Sequence, residues 1–320
     1  MSLHHLLWLA PLAALLIDQA RRGLLQRKPR LPPAQERVLI LGASSGIGRA
    51  IAHLYAARGA RICILARRED RLHSVRDECE AIRAKAHTTD DTDILAIVAD
   101  FSDPISLVNV RDRIVKEWNG LDTLIINAGV SALQPLLAVV GLETHQTTVN
   151  ELPGLAGLIR VRDVAAAAIR GNFTGPLLSL AAFIPLLENS SSRPATLLVS
   201  SVAAVIPAPT RTLYAASKAA SLVLFQSLSI EHPEVKFTAV LPATVEGDFR
   251  ASAVDGGLVR ENLTKCLKRE HVAQACIDAV DAGTRTVWLP LLYRIFHFLY
   301  WITPDAVDQG ARKKYNFSKK

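Results

Sequence analysis

The feature that most constrains this 320-residue chain is a glycine-spaced loop set between an apolar run and a helical run. Val38–Leu41 leads into Gly42-Ala-Ser44-Ser45-Gly46-Ile47-Gly48, and helix-forming sequence continues through Arg58. Glycine lets the chain turn tightly and lets the backbone approach an anion closely. The helix beyond the loop offers unpaired N–H groups and a favourable dipole for a pyrophosphate. Glycines at such a spacing are weak evidence alone and strong evidence between a strand and a helix. Gly42, Ser44, Ser45, Gly46, Ile47 and Gly48 are therefore candidate contacts to a dinucleotide.

The rest of the chain fits that start. Val38–Leu41, Ile62–Leu65, Ile94–Ala99, Thr123–Ile126, Thr196–Ser200, Lys236–Leu241 and Thr286–Leu289 read as seven strands separated by helical stretches. They are near-continuous apolar runs rather than alternating ones, as expected of parallel strands covered on both faces. The fold class predicted is α/β, a doubly wound (Rossmann) and mostly parallel seven-stranded sheet in a single domain over 34–290. Residues 1–33 and 291–320 are hydrophobic appendages to it. Residues 131–160 read as an irregular insert of a length usually reserved for a functional loop or lid.

The second strand ends in Ala66-Arg67-Arg68. A site selective for NAD places a carboxylate there to hold both ribose hydroxyls. Alanine leaves space instead, and Arg67 supplies a planar cationic fork suited to a 2′-phosphate. NADP(H) is the cofactor expected. The charges from Arg68 to Arg71 read more simply as a solvated run.

Tyr214 and Lys218 stand one helical turn apart on one face. A free phenol is only about 0.1% ionised at pH 7. One cation at about 4 Å, at an effective dielectric near 20, contributes about 4 kcal/mol, enough to bring a phenol into acid/base range. Lys218 is expected to make Tyr214 usable for proton transfer near neutral pH. Tyr315 and Lys319 share the spacing, but no strand precedes them and Ile302 stands where a helper serine would be needed. That second pair reads as a decoy. Tyr214 has Ser201 thirteen residues upstream, at the end of the fifth strand.

With these motifs the chain, over roughly 37–290, resembles the short-chain dehydrogenase/reductase family. The matching residues are the glycine loop, Asp100-Phe101, Asn127-Ala128-Gly129, Asn172, Ser201, and Tyr214 with Lys218. The resemblance implies that Tyr214 exchanges a proton with the substrate oxygen, and that Ser201 hydrogen-bonds that oxygen. It implies that Lys218 also holds the nicotinamide ribose and that Asn172 orders a proton-relaying water. It gives Asp100 and Phe101 an adenine contact and Asn127 a place in the wall beside the cofactor. Two departures stand out: the family's Pro-Gly is Pro242-Ala243 here, and a threonine expected shortly after is Gly247. Backbone groups near Thr244 and Val245 are left to meet the nicotinamide carboxamide. Asn172, Asn189, Asn262 and Asn316 also sit in formal glycosylation sequons, which arise often by chance.

The net charge of +7 is located at the ends. Arg21, Arg22, Arg27, Lys28 and Arg30 supply five cations, and Arg312, Lys313, Lys314, Lys319 and Lys320 supply five more. Without those ten the remaining chain stands at −3, so no nucleic-acid partner is expected. Cys63, Cys79, Cys266 and Cys276 form no CxxC pair and read as ordinary thiols in a reducing compartment, with no metal. Residues 3–17 are an apolar run that spans a membrane, lies on one, or packs as a helix on its own domain, and the basic cluster after it leaves the bulk of the chain in the cytosol. Trp288 to Ile302 is an amphipathic aromatic segment suited to a membrane surface. Arg294, His297 and Trp301 share one face of it, and Leu292, Ile295, Phe296 and Leu299 share the other. A dimer contact, and so a homo-oligomer, is the competing reading of that segment. The expected location is the endoplasmic reticulum membrane or a similar one.

Val202–Thr210 contains no charge, so the substrate is expected to be a small apolar molecule: a lipid ketone, sterol, retinoid or long-chain carbonyl. The expected walls of its pocket are Val202–Pro209, Ala243–Arg260 and the 131–160 insert. The predicted activity is hydride transfer between NADP(H) and an apolar alcohol or ketone. A catalytically silent, cofactor-binding membrane adaptor is the alternative, though it would have no need of the full Asn-Ser-Tyr-Lys set.

Overall fold

The computed structural model describes residues 31–85, 93–142, 152–257 and 266–317. The strands are β1 (Arg37–Leu41), β2 (Arg61–Ala66), β3 (Ile94–Val98), β4 (Thr123–Ile126), β5 (Ala195–Val199), β6 (Lys236–Pro242) and β7 (Thr286–Leu289). They form one all-parallel sheet in the order β3-β2-β1-β4-β5-β6-β7. Each lies within a residue of its predicted run, because a strand buried on both faces must be apolar along its whole length.

The helices are α1 (Gly46–Ala57), α2 (Glu69–Lys85), α3 (Pro104–Trp118), α4 (Leu136–Val139), α5 (Leu155–Ile169), α6 (Gly175–Ser190), α7 (Thr212–Glu231), α8 (Arg269–Ala282), α9 (Leu292–Ile302) and α10 (Pro304–Lys314). They cover both faces and so divide the core in two. On one face, Val38, Ile40, Ile62 and Ile64 pack with Ile51, Tyr55, Leu72 and Ile277. On the other, Leu39, Leu41, Leu124 and Ile126 pack with Ile114, Phe183 and Phe225. Alternate residues of one strand thus feed opposite cores, each buried aliphatic side chain contributing about 1.5–3 kcal/mol.

The insert differs from its expected form. Its first part contains α4, and α5 begins inside it at Leu155, so the irregular chain is shorter than thirty residues. Residues 143–151 lie outside the described residues, as do the apolar 3–17 segment and its basic flank. The strand order reverses between β1 and β4, and the loops leaving the carboxyl ends of β1, β4, β5 and β6 converge there. Such a switch point is where open α/β sheets bind ligands.

Candidate active site

A single cleft of about 1160 Å³ runs along this edge, from the loop after β2 to the loop after β6. Its floor is the glycine loop. Gly42 has φ +84°, and a Cβ there would stand 2.6 Å from the backbone of Ala128, so only glycine fits. A Cβ on Gly48 would stand 2.5 Å from Asn127 Nδ2. That amide donates to Gly42 O at 2.8 Å, which ties the loop after β4 to the loop after β1. Ala128 N also donates to Leu41 O at 2.9 Å. Ser44, Ser45, Gly46 and Ile47 complete the cradle. It has the shape, the bare backbone and the helix N-terminus that a dinucleotide pyrophosphate needs.

One end of the cleft is cationic. Ala66 closes β2, and Arg67, Arg68 and Arg71 line the wall beyond it. Arg68 is exposed, as a solvated charge would be, but it is also tied down: its Nη2 donates to Ser44 Oγ at 3.1 Å and to Ser45 Oγ at 2.7 Å. Burial, with Arg71 and Arg67 close by, pushes its pKa down. Sequence reasoning singled out Arg67 and passed over its neighbour, whose reach depends on how β2 lies beside the glycine loop.

Asp100 lies further along the same wall. Its Oδ1 accepts from Ser102 N at 2.9 Å and Ser102 Oγ at 2.7 Å, and its Oδ2 accepts from Arg170 at 3.2 Å. Burial favours the neutral acid, but the Ser102 bonds and the Arg170 charge outweigh it, so the carboxyl titrates below its usual range. Phe101 lines the cleft as well, while its ring packs in the core against Gly175. Arg170 was also missed by sequence reasoning. It belongs to a π-helical turn, Arg170–Thr174, between α5 and α6. Such turns re-aim side chains at functional sites.

The same turn buries Asn172 completely. Its Oδ1 accepts from Val130 N at 2.9 Å, and its Nδ2 donates to Val130 O and Ser217 Oγ, both at 3.0 Å. Asn172 therefore braces the loop after β4 against α7, and complete burial leaves its sequon nowhere to carry a glycan. Ser201 follows β5, and its Oγ accepts from Ala203 N at 3.1 Å. Tyr214 and Lys218 sit in the first turns of α7, both buried and both on the cleft. Lys218 Nζ donates to Val199 O at 3.0 Å. Burial pushes its pKa down, while Tyr214 beside it raises it. Gly129 admits this packing, since a Cβ there would approach Asn172 Oδ1 at 2.8 Å and Lys218 Nζ at 3.2 Å. Pro242 ends β6, and Val245 bridges to Leu267, so the loop with Thr244 and Gly247 lies along the cleft.

The substrate end differs from its expected walls. Val202, Ile206 and Phe249 line it as predicted, but none of the described residues of 131–160 does. Helix α9 takes that place with Tyr293, Phe296 and Leu299, joined by α10 and the Tyr315 that follows it. Tyr315 is thus no part of a free tail: it is buried against the cleft, beside Lys314, while Lys319 lies outside the described residues. The uncharged Val202–Thr210 stretch is followed at once by Arg211, buried in the same wall.

Leu292, Ile295, Phe298, Trp301 and Ile302 of α9, with Leu291 just before it, form one exposed apolar stripe. His297 and Trp301 do not share an environment. His297 Nδ1 bonds Val205 O at 3.0 Å and its ring packs on Trp288, whereas Trp301, in the last turn, is 76% exposed. Among the described residues, only α7 is long and apolar enough to cross a membrane, and it is the packed helix that carries Tyr214 and Lys218. Cys63, Cys79 and Cys276 are buried, and burial pushes each thiol up to about 12.

Residues 36–256 match the family described as short chain dehydrogenase. A protein of Sesamum indicum named 11-beta-hydroxysteroid dehydrogenase A is 27% identical over 289 residues, 87% of this chain and 75% of that protein. A protein of Arabidopsis thaliana named 11-beta-hydroxysteroid dehydrogenase-like 4A is 30% identical over 288 residues, 86% of this chain and 83% of its own length. Two solved structures share the fold. An alcohol dehydrogenase of the archaeon Thermococcus sibiricus, complexed with 5-hydroxy-NADP, superposes with a TM-score of 0.61 at 23% identity, covering 79% of this chain and 94% of its own. A short chain dehydrogenase of Bacillus anthracis gives 0.63 at 17% identity, covering 81% and 96%.

Proposed function

Since the chain belongs to the short-chain dehydrogenase family and is an oxidoreductase of alcohol and carbonyl groups, we propose that it uses NADP(H) on an apolar, sterol-like alcohol or ketone at a membrane surface. One observation carries the reading: a single cleft holds the Tyr214–Lys218 pair under apolar walls at one end and Arg67, Arg68 and Arg71 at the other. Three guanidinium groups beyond an alanine suit a 2′-phosphate. The Thermococcus protein's complex with 5-hydroxy-NADP and the hydroxysteroid names of the plant relatives point the same way.

When bound, the nicotinamide supplies or accepts the hydride. The chain's own groups handle the oxygen and its proton. Ser201 Oγ and the Tyr214 hydroxyl meet the substrate oxygen, and Tyr214 exchanges the proton with it. Lys218, held on Val199 O beside Tyr214, would hold the nicotinamide ribose. Asn172 keeps Val130 and α7 in fixed relation and would hold a proton-relaying water beside it. The exposed stripe of α9, the lysines at the end of α10 and the apolar 3–17 segment support attachment to a membrane. The stripe would also suit a contact between two copies of the chain.

The test is a steady-state assay of the purified full chain with steroid, retinoid and long-chain ketones, comparing NADPH with NADH. Turnover confined to apolar carbonyls and favouring NADPH is expected. Turnover of small polar carbonyls only, or a preference for NADH, would overturn the reading.

A further inference from the structure

A buried polar relay links three loops at the substrate end of the cleft. Thr210 is buried with φ +64°, a left-handed conformation unusual for a β-branched residue, and it turns the chain into Arg211. Arg211 is only 3% exposed. Its guanidinium carbon lies 4.4 Å from the centre of the Tyr214 ring. Its Nη1 donates to Ser131 Oγ at 3.2 Å, and Ser131 is fully buried.

Ser131 O in turn accepts from Val254 N at 2.9 Å. Beside it, Asp255 Oδ2 accepts from Leu133 N at 2.6 Å and Gln134 N at 2.7 Å, while Oδ1 accepts from Gly257 N at 3.0 Å. The loop after β6 is thereby sewn to the loop after β4, and its Phe249 lies edge-on to the Tyr214 ring at 6.1 Å. Bonds from backbone N–H to a buried carboxylate are charge-assisted and stiff.

We propose that Arg211 is a positioning residue, which holds the Tyr214 ring and, through Ser131 and Asp255, keeps the loop after β6 in register with it. The chemistry requires this because an acid/base group is effective only while it is held close to its productive geometry. Lys218 lies beside Tyr214, and the Arg211 guanidinium covers the face of the same ring. Arginine can stack on the ring and donate sideways to a hydroxyl at once, whereas lysine carries a single point charge. The substrate wall and the proton donor then move as one body.

This inference rests on the proposed reaction for its kinetic consequence but not for its direct test. Backbone hydrogen exchange of the full chain reads the relay without substrate. In Arg211→Met, exchange is expected to rise about ten- to a hundredfold at 131–134 and 252–257 together, the loss of one hydrogen bond from a charged donor. Ser131→Ala, a mild change that removes only a hydroxyl, should give the same paired pattern. Changes confined to 208–214 in both variants would overturn the relay. In turnover, Arg211→Met should lower kcat about ten- to a hundredfold while NADPH affinity stays within about twofold, and Arg211→Lys should not restore it. An unchanged kcat in Arg211→Met would overturn the positioning role. A wild-type protein with no carbonyl turnover would defeat the proposed function, and the exchange pattern would still decide the relay.

Discussion

Arg68 reaches from the end of β2 to the glycine loop and donates to Ser45 Oγ at 2.7 Å. The end of the second strand and the floor of the cofactor cleft are thus joined by a cation. Arg67 stands beside it, exposed, with no carboxylate at Ala66 to repel a phosphate or to grip a free ribose hydroxyl. Each charge-assisted bond to a 2′-phosphate contributes about 1.5–3 kcal/mol. Arg67→Ala and Arg68→Ala should each weaken NADPH about ten- to a hundredfold. Arg67→Ala should leave NADH almost unaffected, and Ala66→Asp should reverse the preference. Fluorescence titration of both cofactors measures this. Equal losses for NADPH and NADH would assign these arginines to the fold.

Tyr214→Phe removes a hydroxyl and leaves the ring between its neighbours Arg211 and Phe249. Turnover should fall at least about a hundredfold, given the usual 10²–10⁴ worth of general acid/base catalysis. NADPH binding should be nearly unchanged. A variant retaining more than about a hundredth of the wild-type rate would remove Tyr214 from the acid/base role.

The outward stripe of α9 and the 3–17 segment should act as two weak anchors, which together bind far better than either alone. Deleting residues 1–30 should leave the protein on membranes. Adding Phe298→Glu and Trp301→Glu, both at exposed positions, should release it without loss of turnover on soluble substrate analogues. Carbonate extraction and salt washing of each variant give the result. Full solubility after the deletion alone would leave α9 with no membrane role.

Arg37 and Asp122 join the starts of β1 and β4 through Nε and Nη2 at 2.8 and 2.9 Å, with the Arg37 amide adding a third bond at 3.0 Å. Burial raises the carboxyl's pKa, but the Arg37 bonds and charge outweigh it and hold the acid below its usual range. A depressed folded pKa gives stability that is complete above the unfolded value, about 3.9, and is lost as pH falls through the folded one. Asp122→Asn should cost about 1.5–3 kcal/mol at pH 7, since it removes the counter-charge while the carbonyls of Trp118, Asn119 and Ser190 still hold the Arg37 guanidinium. Urea unfolding should show the two proteins converging as the pH falls below the unfolded value of about 3.9. A constant difference down to pH 2 would mean that the pair's charge contributes nothing.

Much of the fold was legible because its signals are local. A strand buried on both faces is a short apolar run, and Thr123–Ile126 and Thr286–Leu289 are bounded as predicted. Gly42 and Gly48 mark the glycine loop by spacing, and Tyr214 and Lys218 announce themselves by one helical turn. What was misread depended on distance in space. Arg68 looked like its charged neighbours Glu69 and Asp70 until β2 was laid against the glycine loop. The aromatic stretch from Trp288 to Ile302 read as an amphipathic segment for a membrane surface or a dimer contact, yet Tyr293, Phe296 and Leu299 line the cleft.

By itself, then, the sequence determined the alternation of strands and helices, the dinucleotide cradle and the spacing of the tyrosine and lysine, since each follows from periodicity or backbone freedom within about twenty residues. Only the tertiary structure decided that Arg211 lies on Tyr214, that Ser131 answers it from 80 positions away, and that Asp255 closes the loop 122 positions from Leu133. A buried guanidinium or carboxylate takes its partners from whichever loops the sheet brings to its edge, and no local pattern records that choice.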